Sequence, residues 1–134
     1  MRQALVESPY SLDQPQRQVV LRTIQEVSNH RRWRLLAAHI RSNHLHIIAH
    51  AEGDPDKIME DYKAYCTRRL REAGFEPGRR HRWTEGGSKR YLWNSEQLQP
   101  AIRYVLVDQG EWMEVFVAPE CVPMEFELPR VPPR

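Results

Sequence analysis

The chain has 134 residues, enough for one ordinary domain with a real hydrophobic core and too few for a second of usual size. Its 40% hydrophobic and 28% charged content argues against disorder, and no run approaches the roughly twenty apolar residues of a bilayer span. The net charge of +2 gives no general pull toward nucleic acid, and an N-terminus without a long apolar stretch makes the cytoplasm the expected location.

In chain order, residues 3–8 are expected to form a first strand, stopped by Pro9. Asp13 and Pro15 open a helix whose apolar positions Val20, Ile24 and Val27 recur at helical spacing, ending near Asn29. Residues 33–40 and 45–50 read as the next two strands, and the polar run Arg41-Ser42-Asn43 between them suits a hairpin connection. Asp54 then caps a helix with Pro55 at its first position; Ile58, Tyr62, Cys66 and Leu70 line one face and Gly74 ends it. Residues 76–90 form a long loop rich in Gly and Arg, and residues 91–93 a short fourth strand. Asn94 or Ser95 caps a last helix with Leu98, Ile102, Val105 and Leu106 as its buried stripe, stopped by Gly110.

Residues 118–134 hold five of the ten prolines and are expected to be an extended tail behind a single domain of residues 1–117. Cys66 and Cys121 are too far apart and too unlike in setting to imply a disulfide framework or a Cys-rich zinc site. The order βαββαβ plus a helix predicts an α+β fold. It would be a ferredoxin-like split βαβ sandwich, an antiparallel sheet with helices on one face and an added C-terminal helix. That architecture hosts many activities and decides none.

The charge is unevenly spread. Residues 68–90 carry 8 basic against 3 acidic residues, a plausible phosphate-facing segment; the alternative is a solvated helix surface and loop. On the strand over 45–50, alternation sends His44 and His46 to one face, with His50 a further candidate there, and Leu45, Ile47 and Ala49 to the other. Two imidazoles on one face can reach one cation. They suit Mn, Co, Ni or Zn better than Mg, although Mg is more available and binds when a phosphate supplies oxygens. The plain alternative is a pair of surface histidines on a half-exposed strand.

On the last helix, Tyr104 falls about 200° from Ile102 and Leu106, off the buried stripe. Asp108, one turn on, shares its side, whereas Gln109 lies about 140° away. A phenol and a carboxylate one turn apart, opposite a His pair, could present a nucleophile and a third metal ligand together. The metal would polarise a phosphodiester, and attack by Tyr104 would leave a 5′-phosphotyrosine and a free 3′-hydroxyl. The alternative is an amphipathic tyrosine on a helix surface.

Several ordered segments are similar to one known family. Asn43-His44-Leu45-His46-Ile47-Ile48, preceded by Trp33 to His39, resembles the His-hydrophobe-His segment of the IS200/IS605-like single-tyrosine transposases, which include the REP-associated branch. Tyr62 to Leu70 resembles that family's helix before its basic loop. Arg90-Tyr91-Leu92-Trp93 and Ala101-Ile102-Arg103-Tyr104-Val105 resemble its fourth strand and its tyrosine helix. The resemblance covers about residues 3–110.

It implies a metal-dependent transposase, with Mg or Mn and no organic cofactor, that cuts and rejoins single-stranded DNA beside hairpins. His44 and His46 carry over as metal ligands and Tyr104 as nucleophile. The family often has Gln four residues after the tyrosine; here that position is Asp108, with Gln109 next to it, so the third ligand stays open between them. A homodimer is implied, and whether the tyrosine helix completes the metal site of its own subunit or of the partner stays open. Arg68, Arg69, Arg71, Arg79, Arg80, Arg82, Lys89 and Arg90 are candidate phosphate contacts, Asn43 a DNA or turn residue, and Trp83 a stacking or packing residue. Two rival classes are a non-catalytic hairpin-DNA-binding descendant and a metal-dependent nuclease that uses water.

Overall fold

The computed structural model describes residues 10–83, 95–107 and 111–122. The strands expected at 3–8 and 91–93, and with them Lys89, Arg90, Asp108, Gln109, Gly110 and the tail beyond residue 122, lie outside the described residues.

Helix α1 spans Gln14–Arg31. The Asp13 carboxylate accepts from the Gln16 amide at 3.0 Å, satisfying one of the donors that a helix start leaves bare. The helix ends two residues later than expected: Arg32 takes a left-handed backbone (φ 59°), and Trp33 N donates back to Ser28 O at 2.8 Å. Strand β1 (Arg34–Ile40) and strand β2 (Leu45–His50) follow as the expected antiparallel hairpin, closed by Arg41 N donating to His44 O. Helix α2 spans Pro55–Glu72, with the Asp54 side chain accepting from Asp56 N at 2.9 Å. Gly74 (φ 85°) and the Phe75 N to Leu70 O bond close it in a Schellman-type turn, a conformation that favours glycine.

Helix α3 (Ser95–Leu106) is followed by strand β3 (Glu114–Val117) and a 3-10 turn over Pro119–Cys121. Strand β3 was not foreseen from the sequence, since four residues give too little alternation to read. It pairs antiparallel with β1, so the sheet order is β2-β1-β3. The packed chain also runs past residue 117: Ala118 N donates to Leu36 O at 2.9 Å, and Ala118 and Cys121 are buried.

Helices α1 and α2 cover one sheet face. Val20, Ile24, Val27, Tyr62, Cys66 and Leu70 meet Leu35, Ala38 and Ile40 there. Helix α3 covers the other, where Ile102 and Leu106 meet Leu36, Ala37 and Val117. The chain is thus an α+β fold with a three-stranded antiparallel sheet among its described residues. No helix among them is long and apolar enough to cross a membrane.

A bulge in β1 sorts these faces. Leu35 opposes Ala49 and Ala37 opposes Ile48, leaving Leu36 as the extra residue. Leu36 and Ala37 both belong to the α3 cluster, while Leu35 and Ala38 belong to the α1/α2 cluster.

In the α1/α2 core, the Tyr62 hydroxyl shares a 2.8 Å bond with Ser28 Oγ, which also donates to Ile24 O. Tyr62→Phe is expected to cost about 1 kcal/mol in urea unfolding, because Ser28 keeps its second partner. A loss above about 3 kcal/mol would mean that the ring itself repacks.

Candidate functional site

His46 sits in β2 on the α3 side of the sheet, opposite His39 of β1, and His44 immediately precedes the strand. The His44 and His46 rings are 6.2 Å apart, centroid to centroid, as expected for two imidazoles on one face. His50 is four residues along β2 from His46, about 13 Å at strand rise, and pairs with Arg34 instead. The structure therefore brings together His44 and His46 without His50.

His44 is exposed and His46 half-buried. The Nε2 atom of His46 is buried with no hydrogen-bond partner among the described residues. Burial, and then the charges of His39, His44 and Arg41, push its pKa below the usual imidazole range. A neutral imidazole keeps a lone pair on one ring nitrogen and is the protonation state in which histidine binds a metal, so the pair fits a divalent cation. Among the described residues no three His, Cys, Asp or Glu side chains gather into one metal-holding group. The pair supplies two ligands, and the candidates for a third, Asp108 and Gln109, lie outside those residues.

Tyr104 is 51% exposed, whereas Ile102, Val105 and Leu106 are buried, so the stripe and the off-stripe tyrosine fall as their spacing predicts. The neighbouring Val105 carbonyl accepts from His39 Nδ1 at 3.0 Å. That bond brings the tyrosine's turn of helix onto the face that carries His46.

Two residues that the sequence did not single out join this site. His39 is fully buried, 6.5 Å from the His46 ring, and accepts from Met113 N at 3.1 Å through Nε2. Arg41 follows two residues on, beside His44 in the hairpin, and donates to Glu111 O at 3.1 Å. The hairpin register was the available signal: a connection at 41–43 sets Arg41 against His44 and His39 against His46.

The basic residues divide differently from expectation. Helix α2 packs on the face away from His46, so Arg68, Arg69 and Arg71 belong to the opposite layer. There Arg68 stacks over Tyr65, Arg69 pairs with Glu26 and Glu72, and Arg71 donates to Arg79 O. Arg79 stacks over Tyr10 at 4.8 Å and pairs with Glu76 at 3.5 Å; Arg80 is exposed in the same loop.

Arg82 requires a correction. It is 5% exposed and donates to Tyr10 Oη and to the Phe75 and Glu76 carbonyls, so it anchors the loop from inside and presents no surface to a phosphate. Trp83 likewise packs against the core, its Nε1 donating to Thr67 Oγ1 at 2.9 Å, so of its two sequence readings, stacking and packing, packing is the one favoured. Among the described residues, Asn43, exposed next to His44, is the one candidate DNA contact beside the pair.

Two imidazoles here are held neutral. Burial lowers the His39 pKa, against the raising effect of its bond to Val105, as it lowers that of His46. Both groups therefore bind protons more readily in the unfolded chain. Their contribution to stability is complete above the unfolded value of about 6.5 and is lost as the pH falls through the depressed folded values. Urea midpoints should drop between about pH 7.5 and about pH 5, less steeply in His46→Leu. An unchanged slope in that variant would remove His46 from the account.

The family profile described as "Transposase IS200 like" matches residues 10–103. The match takes in α1, the hairpin with His44 and His46, and α2, and it stops one residue before Tyr104. No curated protein matches the chain, and no solved structure does. With more than half of its length matched and the histidine hairpin inside the matched span, the chain belongs to the IS200-like transposase family.

Proposed function

We propose that this family member nicks and rejoins single-stranded DNA beside hairpins, with Tyr104 as the nucleophile and His44 and His46 holding a divalent Mg or Mn ion. The observation that carries this reading is the buried Nε2 of His46, without a hydrogen-bond partner among the described residues, next to His44 and on the sheet face covered by the helix that exposes Tyr104. When bound, the cation would supply positive charge to the scissile phosphate. Asp108 or Gln109 would complete its ligand set.

The phenol of Tyr104 loses its proton to water and its Oη forms a bond to phosphorus. The bond from phosphorus to the 3′ oxygen breaks, and that oxygen leaves with a proton as a 3′-hydroxyl. The 5′-phosphotyrosine keeps the phosphodiester's energy, so attack by a 3′-hydroxyl rejoins the strand and releases the phenol. His46, neutral and half-buried, offers its lone pair without having to shed a proton first. Asn43 and Arg41, in the connection between β1 and β2, would contact the DNA backbone.

In this reading the fold is a ferredoxin-like split βαβ sandwich, α3 is the catalytic helix, and the protein works as a homodimer in the cytoplasm. The arginines of α2, with Arg80 of the loop that follows, would hold the hairpin stem, remote from the cut. A second reading, a hairpin-binding descendant without catalysis, is favoured by Asp108 standing where the family often has Gln.

The test is to incubate the protein with labelled single-stranded hairpin DNA and Mn or Mg, then look for a protein–DNA adduct that survives denaturant. An adduct that requires the metal is expected. Hairpin binding that persists in excess chelator, with no adduct on any substrate, would establish the second reading.

A further inference from the structure

His39 is a histidine in the centre of the sheet with no role in the reading above, fully buried and with both ring nitrogens engaged. Its Nδ1–H donates to the Val105 carbonyl and its Nε2 lone pair accepts from Met113 N–H, which fixes a single neutral tautomer. With both nitrogens committed, it has no lone pair to offer a cation beside His46. Ligand duty therefore falls elsewhere.

What His39 holds is the end of α3. The last four carbonyls of a helix have no partner within the helix, and Val105 and Leu106 are its final two residues. The structure caps both from outside, Val105 O by His39 of β1 and Leu106 O by the indole N–H of Trp112. A leucine at position 39 would fill the space but leave Val105 O and Met113 N–H unpaired in partly buried surroundings. Tyr104 precedes Val105 directly, so the orientation of the phenol follows from where that carbonyl is held.

We propose that His39 is a positioning residue: through Val105 it clamps the tyrosine helix onto its own chain's sheet, setting Tyr104 over the His44–His46 face. The importance of that clamp for cutting rests on the tyrosine reading above; the clamp itself does not. It also implies that the helix is seated within one chain until this bond opens.

Two substitutions separate the two bonds. In His39→Asn the amide nitrogen falls where Nδ1 lies and keeps the bond to Val105 O; in His39→Gln the amide reaches the Nε2 position and keeps Met113 N–H instead. Amide hydrogen exchange over residues 98–107 is the readout, with residues 20–28 and 62–70 as internal standards. In His39→Gln the α3 amides should exchange about tenfold faster than in wild type, as expected for losing one buried hydrogen bond. In His39→Asn they should stay within about threefold of wild type, and the standards should be unchanged in both. Equal α3 exchange in the two variants overturns the clamp.

Adduct formation on hairpin DNA, measured on the same samples, bears on the tyrosine reading separately. His39→Gln should slow it at least about tenfold at saturating DNA with hairpin affinity unchanged, and His39→Asn should recover it. Absence of adduct in the wild type would sink the tyrosine chemistry, and the exchange comparison would still decide the clamp.

Discussion

Tyr104→Phe is expected to eliminate the covalent protein–DNA product, lowering its rate of formation by at least about 10³-fold, or about 4 kcal/mol of barrier. The substitution removes one oxygen, and that oxygen is the atom proposed to bond phosphorus. The loss will not come from unfolding, because Tyr104 is half-exposed and lies off the buried stripe of Ile102, Val105 and Leu106. Surface changes of this kind usually shift stability by less than about 0.5 kcal/mol. Hairpin affinity should remain within about threefold, since the charged contacts that dominate DNA binding are untouched. Cleavage that survives Tyr104→Phe at wild-type rate would reassign the nucleophile to water and the protein to the metal-dependent nucleases.

His46→Leu should have the second large effect, and of opposite sign in two conditions. Without metal, the variant replaces a buried nitrogen that has no hydrogen-bond partner among the described residues by a side chain that needs none. It should then be as stable as wild type or about 1 kcal/mol more stable in urea. With Mn at about 100 times its dissociation constant, the wild type should gain about 2.7 kcal/mol by mass action, whereas the variant should gain little. Adduct formation should fall at least about 10²-fold. An equal Mn-induced gain in His46→Leu and in wild type would show that the cation binds elsewhere, and the pair would revert to two surface histidines. Because His44 is exposed, His44→Leu should lose the Mn gain without the metal-free stabilisation, which separates binding from relief of the buried nitrogen.

Much of the path to this site is written locally. Asp13 and Asp54 cap their helices as their positions before Pro15 and Pro55 predict, and Gly74 ends α2 because a left-handed turn is needed there. The period of Val20, Ile24 and Val27, and that of Tyr62, Cys66 and Leu70, each describe one buried helix face. Alternation along β2 sends Leu45, Ile47 and Ala49 toward α1 and α2 and leaves His46 on the other side. The position of Tyr104 outside its helix's buried stripe also follows from 100° per residue alone. These features depend on contacts within a few residues, which is the range that periodicity reports.

Other features depend on which surfaces meet. Strict alternation from Leu35 would send His39 to the α1/α2 face; the bulge at Leu36 turns it toward α3 and into contact with Val105. A bulge is a register decision between two strands, and composition carries no trace of it. The arginines illustrate the same limit. A dense basic run from 68 to 82 reads as one patch, yet Arg82 turns inward onto Tyr10 and two loop carbonyls, and Arg68, Arg69 and Arg71 occupy the layer away from the histidines. Strand β3 was too short to announce itself, and it exists by pairing with β1. The sequence by itself determined the helices, the hairpin and the faces of His46 and Tyr104, because turns, caps and side-chain periods are local. Only the tertiary structure decided that His39 bonds Val105 of α3 and that the arginines of α2 lie away from the histidines, because both depend on which face of the sheet each helix covers.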